Sequence, residues 1–72
     1  MTITIELTNG YTITGPKSQE SEALSLVEEI NQEMETTFDE YLEEGESKAM
    51  DMRDDTIYEY EEQLQRIGFK ID

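Results

Sequence analysis

The sequence predicts an α+β fold in which an N-terminal β-hairpin packs on an antiparallel helical hairpin, in the order ββαα or ββααβ. Apolar residues alternate with polar ones over residues 1–15, which is the period of a strand. They then recur at spacings of three and four over residues 23–41, which is the period of a helix. A second helical pattern follows Gly45. With 72 residues and neither a repeat nor a linker, the chain is expected to form one small domain, 1–72.

The hairpin, residues 1–15, has two possible registers. A two-residue turn at Asn9 and Gly10 would place the apolar residues of the two strands on opposite faces of the ribbon. A three-residue loop over 8–10, with Gly10 in a left-handed conformation, places them on one face. We therefore predict the second register, which gives the pairs Leu7 with Tyr11, Ile5 with Ile13 and Ile3 with Gly15. An isolated hairpin is marginally stable in water, so this face is expected to pack on the helices.

The first helix is predicted over residues 18–44. Ser18 is a candidate N-cap, and Gly45 suits the position just after a helix end. The acids near its carboxyl end oppose the helix dipole, which is mildly destabilising. The apolar stripe of this helix consists of Ala23, Val27, Ile30, Met34, Phe38 and Tyr41, widened by Leu24, Leu26 and Leu42.

The second helix is predicted over residues 47–67, with Ser47 as its N-cap and Gly68 as its C′ residue. Its core-facing positions follow a heptad frame, namely Met50, Ile57, Tyr60, Leu64 and Ile67. Residues 69–72 alternate apolar and polar side chains and form either a tail or a short third strand beside the hairpin.

Composition argues against an enzyme. The chain has no Cys and no His, so thiol nucleophiles, disulfides, thiolate metal sites and the usual neutral-pH general base are all missing. Adjacent carboxylates occur in several pairs, but neighbouring helix residues point about 100° apart and so do not form an acid–base pair. The acids around Asp54 lack the spacing of a calcium loop. We therefore expect no catalytic residue, no metal site and no cofactor.

The net charge restricts the partners. Nineteen acids against five bases leave a formal charge of −14, which repels nucleic acids and anionic membranes. No apolar run approaches the roughly 20 residues of a membrane helix, and the N-terminus lacks the features of a signal peptide. We therefore expect a cytoplasmic protein with no direct nucleic-acid or membrane contact.

The distribution of acids is the strongest functional signal. Residues 19–46 contain eleven acids and no Lys or Arg, whereas surface helices usually alternate the two signs to gain ion pairs. Several of these acids are four residues apart, so they repel one another and lower stability. Tyr58 lies outside the heptad frame and is a candidate aromatic anchor. The predicted partner-binding residues are Glu28, Glu29, Glu33, Glu35, Asp39, Glu40, Glu43, Glu44 and Tyr58.

In size, lack of Cys, hairpin-plus-helix layout and dense carboxylates from Glu28 to Glu46, the chain resembles small acidic phage-encoded inhibitors of the anti-CRISPR and anti-restriction type. The resemblance is limited to size, layout and charge and includes no shared sequence motif, so no residue role follows from it. It implies a DNA mimic, expressed in the host cell cytoplasm if phage-encoded, that binds a basic-surfaced nucleic-acid-binding protein.

Two other hypotheses explain the acidity. In one, the chain is a structural or regulatory interaction module, either a helical-hairpin subunit or a homodimer whose heptad positions form an intermolecular four-helix bundle. In the other, the acids are a coat for solubility or high salt. The second hypothesis predicts an even spread of acids, whereas the longest base-free stretch coincides with a single predicted helix.

Overall fold

A computed structural model describes all residues, 1–72, and confirms the α+β class with the third strand present. Three antiparallel strands form one sheet in the order β1-β2-β3, and the helical segments pack on one side of it. The elements are β1 Thr2–Glu6, β2 Thr12–Pro16, α1 Glu20–Tyr41, α2 Glu46–Asp55, α3 Glu61–Arg66 and β3 Lys70–Ile71. Short 3-10 turns lie at Lys17–Gln19, Leu42–Glu44 and Thr56–Tyr60.

The predicted hairpin register is confirmed. Ile5 pairs with Ile13 and Ile3 pairs with Gly15. The loop closes through the Leu7 N–H, which donates to the Tyr11 carbonyl at 2.7 Å. Gly10 has φ +91°, the left-handed conformation that this loop requires and that glycine adopts without a steric cost. The apolar side chains of both strands therefore face the helices.

The C-terminal residues form the third strand and fill a gap in the core. β3 pairs with β2, with Ile71 opposite Ile13. Before it, α3 ends in a Schellman motif at Gly68, whose φ is +84°. Phe69 then turns inward and is 1% exposed. Its ring lies on Gly15, where a Cβ atom would come within 2.5 Å of the ring carbons. The missing side chain of Gly15 thus makes the space that Phe69 occupies.

The first helix is shorter than predicted at both ends. It begins at Glu20 after Gln19, and Ser18 lies in the preceding 3-10 turn instead of capping the helix. At the other end the helix tightens into the 3-10 turn of residues 42–44. The chain then turns at Gly45, whose φ of +116° favours glycine. The predicted stripe is confirmed at Ala23, Val27, Ile30 and Met34, which are the buried residues of α1. It was wrong at Leu42, which lies in the 3-10 turn and is 46% exposed.

The second helix is not continuous. α2 begins at Glu46 with Gly45 at the N-cap position, so the prediction of Ser47 as the cap was wrong. The heptad frame was also wrong at its start, because Met50 is 41% exposed and Ala49 is fully buried in its place. A small side chain there lets α2 approach α1 just after the turn. At Thr56 the hydroxyl donates to the Met52 carbonyl at 3.1 Å, a local bond that bends helices, and the 3-10 turn begins there.

The molecule is elongated, with Cα atoms that span 42 × 16 × 16 Å, and its core lies where the hairpin, α1 and the C-terminal segments meet. The buried residues of this core come from β2, α1, α3, the 3-10 turn Thr56–Tyr60 and the loops that contain Leu7 and Phe69. Its buried members are Leu7, Ile13, Ala23, Val27, Ile30, Met34, Ile57, Leu64 and Phe69, with Ile3, Ile5, Tyr11, Leu26, Tyr60, Ile67 and Ile71 packed at its edges. None of the helices has both the length and the apolar content to cross a membrane.

Candidate functional site

The acids of α1 form two rows on its exposed side. Each residue advances about 100° around a helix, so residues three, four and seven apart share a face. The first acidic row is Glu28, Glu35 and Asp39, and the second acidic row is Glu29, Glu33 and Glu40. All six residues are exposed. The rows flank a polar strip that contains Gln32 and Thr36, and the buried face of α1 lies opposite that strip.

The first acidic row borders a groove of about 510 Å³ between α1 and the hairpin loop. Glu28 and Glu35 line it together with Leu24, Phe38 and Arg53. Leu24 was expected to widen the buried stripe, but it is 49% exposed in this groove. The groove therefore combines unpaired carboxylates with an apolar wall.

Hydrogen bonds fix the hairpin loop beside this groove. The Asn31 side-chain oxygen on α1 accepts from both the Thr8 N–H and the Thr8 hydroxyl, each at 3.2 Å. The Asn9 amide donates to Asp54 of α2 at 2.9 Å. Arg53 also bonds Asp54, at 3.2 Å, and its guanidinium lies 5.6 Å from the centre of the Phe38 ring. The one base near the first row is thus already engaged by other groups.

The second acidic row continues onto the other helical segment. Glu29 and Glu33 line a shallow depression together with Tyr60. Burial raises the pKa of Tyr60 above its ordinary 10.0, and the carboxylates of Glu33, Glu29 and Glu59 raise it further. Farther along, Glu40 lines a second depression with Asp55 and Glu59. Acids from two segments therefore form one surface on this side of the molecule.

Almost none of this charge is compensated. Of the eight predicted acids, only Glu44 has a basic partner, Lys48, at 2.9 Å. The hydrogen bond to Glu44 raises the pKa of Lys48, which also lies 5.9 Å from the centre of the Tyr41 ring. Glu43 and Glu44 occupy the 3-10 turn after α1, where both are exposed. The base-free character of the sequence is therefore preserved in the folded structure.

Tyr58 lies apart from the acidic rows. It is 53% exposed and lies near Tyr11, at the side of the hairpin loop. The Asp54 carboxylate raises the pKa of Tyr11, burial and the nearby Tyr58 and Asp55 add to the effect, and Arg53 opposes it. The structure thus brings the α1 acids together but does not place Tyr58 among them. No signal in the sequence located the groove residue Arg53 beside Phe38.

The apolar residues that a four-helix dimer would need are used within the single chain. Ile57 and Leu64 are both 0% exposed, and Tyr60 and Ile67 pack at the edge of the same core. An intermolecular bundle at these positions would require the monomer core to open.

Comparisons with known proteins give no assignment. No protein-family model, curated protein or solved structure matches the chain significantly. No group of three acidic side chains is arranged to hold a metal ion. The arrangement presents negative charge in ordered rows, and this is the chemical property of the surface that a partner would meet.

Proposed function

We propose that this protein is a non-enzymatic inhibitor that binds the basic nucleic-acid-binding surface of another protein, such as a CRISPR effector or a nuclease, through carboxylates that replace phosphates. The observation that carries the proposal is the pair of exposed, uncompensated acidic rows on α1. A fold that needed these acids for its own stability would pair them with bases. The protein would bind this partner in the cytoplasm. If the protein is phage-encoded, this is the cytoplasm of the host cell.

The spacing within the rows suits a phosphate-binding surface. Glu29 and Glu33 are four residues apart, as are Glu35 and Asp39, which is about 6 Å along the helix axis. Two phosphate steps along one DNA strand cover about 6.8 Å. The other interval in each row, Glu28 to Glu35 or Glu33 to Glu40, is seven residues, about 10.5 Å or three phosphate steps. A row of lysines or arginines arranged for a nucleic-acid backbone could therefore meet a carboxylate at every second or third phosphate position. The 42 Å length of the molecule corresponds to about 12 single phosphate steps of one DNA strand.

Electrostatics would govern the encounter. A partner with a Lys- and Arg-lined channel would be attracted from a distance to the −14 charge, so association should be fast at low salt and should weaken steeply as salt is added. Because the inhibitor and the nucleic acid would occupy the same surface, each should displace the other.

The test begins with capture. The protein is immobilised and exposed to lysate of its native host at low salt, then eluted first with a 12-base-pair duplex and next with 1 M NaCl. We expect a basic nucleic-acid-binding protein in the duplex eluate, whose affinity for the purified inhibitor is then measured. Release of the partner by duplex DNA indicates a shared surface, which capture alone does not.

Charge reversal identifies the surface. The variant Glu33→Lys/Asp39→Lys/Glu40→Lys alters both rows and should lose binding at least 100-fold while it remains folded, because the new lysines can pair with neighbouring acids. A matched control, Glu6→Lys/Glu46→Lys/Glu61→Lys, makes the same change in net charge at exposed positions outside the rows. Because Glu46 and Glu61 lie in first helix turns that favour negative charge, both variants are compared at a temperature at which circular dichroism shows them folded.

Equal losses in the two variants would mean that only net charge matters, and the proposal would then be wrong. A partner that survives both duplex DNA and 1 M NaCl would instead favour the interaction-module alternative. In that case the acids would serve solubility, and Tyr58 would become the first candidate contact.

A further inference from the structure

The first strand leaves one edge of the sheet open. In antiparallel strands, residue pairs that exchange hydrogen bonds alternate with pairs that do not. Leu7 bonds Tyr11 at one end of the β1-β2 ladder, and the Lys17 N–H donates to the Met1 carbonyl at 2.9 Å at the other. The odd-numbered residues of β1 therefore bond β2. The N–H and C=O groups of Thr2, Thr4 and Glu6 point away from the sheet.

The two edges of the sheet differ in how they resist further pairing. Natural edge strands avoid added strands by being short or by carrying lysine, proline or a bulge. β3 is two residues long and includes Lys70. β1 has five residues, Thr-Ile-Thr-Ile-Glu, with no proline, glycine, lysine or bulge. Only the β1 edge is therefore suited to accept another strand.

The core is also incompletely covered at this edge. On the central strand, Ile13 is 0% exposed. Its neighbours Ile3 and Ile5 on β1 face the same core but are only half-buried. A strand added beside β1 would bring its own apolar residues against them and would remove this surface from water.

We infer that β1 pairs antiparallel with β1 of a second copy of the chain, about a two-fold axis at Thr4. The strand sequence is nearly its own complement in this register. Thr4 faces Thr4 of the second copy, and Ile3 faces Ile5 on the core side of the sheet. The outward backbone groups of residues 2, 4 and 6 then bond one another, and a six-stranded sheet runs through the dimer.

Charge favours this surface over any other for self-association. The acids are concentrated on α1, whereas the only charged side chain of β1 is Glu6. In the dimer Glu6 lies opposite Thr2 of the second copy. Thr2 pairs with Pro16 within its own copy, so Glu6 lies near Lys17 of the second copy. Lys17 is exposed and has no ion pair within the chain. The remaining repulsion between the acidic copies is screened by salt, so dimerisation should strengthen as salt rises.

Sedimentation equilibrium at protein concentrations from micromolar to millimolar, in low and high salt, tests this inference. We expect the apparent mass to rise from 8.4 kDa toward twice that value, and to rise further in 0.5 M NaCl. The variants Thr4→Pro and Thr4→Lys should stay at the monomer mass, because one removes the central donor and the other places two lysines face to face. The control Gln63→Lys adds the same charge on α3 and should dimerise normally.

Circular dichroism must show that the Thr4 variants are folded. Since the Thr4 N–H points outward, proline there breaks no backbone hydrogen bond to β2, and Thr4→Lys gives a second route if proline disturbs the strand. Both variants remove the exposed hydrogen bond between the Thr4 and Thr14 hydroxyls, which are 3.1 Å apart. Amide hydrogen exchange provides an independent pattern. Raising the protein concentration should slow amide exchange at Thr2, Thr4 and Glu6, whereas the exchange rates of Ile3 and Ile5 should stay unchanged.

A monomer mass at millimolar concentration in high salt would overturn the inference. So would a dimer that is unaffected by Thr4→Lys, or protection confined to other elements. The opposite response to salt separates this dimer from the proposed partner binding, which salt should weaken.

Discussion

The acids at the end of α1 should weaken the fold that carries them. Asp39 and Glu40 lie in the last turn of α1, which contains no basic residue, so both oppose the helix dipole. Each such charge costs about 0.3–1 kcal/mol, and the Glu35–Asp39 repulsion adds about 0.2–0.5 kcal/mol. The variant Asp39→Asn/Glu40→Gln should therefore be more stable by about 1–2 kcal/mol. For a domain of this size each kcal/mol raises the Tm by about 4–8 °C.

The matched control makes the same charge change at the other end of the helix. Glu20 and Glu22 lie in the first turn of α1, where negative charge is favourable. Glu20→Gln/Glu22→Gln should therefore lower the Tm, although both variants reduce the net charge equally. Thermal unfolding in 10 mM and 1 M NaCl is the assay, and both effects should shrink in high salt. If Asp39→Asn/Glu40→Gln lowered the Tm at low salt, these carboxylates would be stabilising the fold and the reasoning would be refuted.

Three further predictions concern the fold. Gly15→Ala should cost about 1–3 kcal/mol in urea unfolding, since its Cβ would overlap the Phe69 ring, and Gly15→Ala/Phe69→Leu should be less than additive. Gly68→Ala should cost about 1 kcal/mol, because the residue has φ +84° and Pro16 lies within 3.2 Å of the new methyl. The raised pKa of Tyr60 adds stability that is fully present below about pH 10 and is lost as pH rises through the folded pKa. Alkaline unfolding followed by circular dichroism should therefore depend less on pH in Tyr60→Phe.

The hairpin could be predicted because short-range rules and burial agree there. Only one register places Ile5 and Ile13 on the same face, and glycine adopts without strain the left-handed loop conformation that this register requires. The same agreement holds at Gly68, where the end of the helical pattern and a glycine coincide. In each case one residue type and one periodicity led independently to the same structure.

The second helical segment could not be predicted in detail, because its structure depends on contacts with α1. A heptad frame favours Met50 as a core residue on hydrophobicity alone, but next to a tight turn the limiting factor is the distance between the helices, which favours the small Ala49. The change to a 3-10 turn depends on Thr56, which bonds Met52 and approaches Thr37 of α1 at 3.4 Å. The predicted Ser47 cap was wrong because α2 begins one residue earlier, with Gly45 at the N-cap position.

The composition of the candidate site was visible in the sequence, but its arrangement was not. Helical periodicity separates the acids into two rows once the buried face is known. The extension of the second row to Asp55 and Glu59 required the packing of the two segments. So did the position of Arg53, which reaches Phe38 and Asp54 and leaves Glu28 and Glu35 unpaired.

The positions of the few bases support the proposed binding role of the acidic rows over a solubility coat. Lys48 and Arg53 both lie on α2 within reach of α1, yet each is held near an aromatic ring of α1 and bonded to an acid outside the rows. They stabilise the helical hairpin and neutralise none of the six row carboxylates. Solubility depends on net charge and is indifferent to which acids stay unpaired. A binding surface for a basic partner requires that specific carboxylates stay free, which is why the two triple-charge-reversal variants should differ in binding.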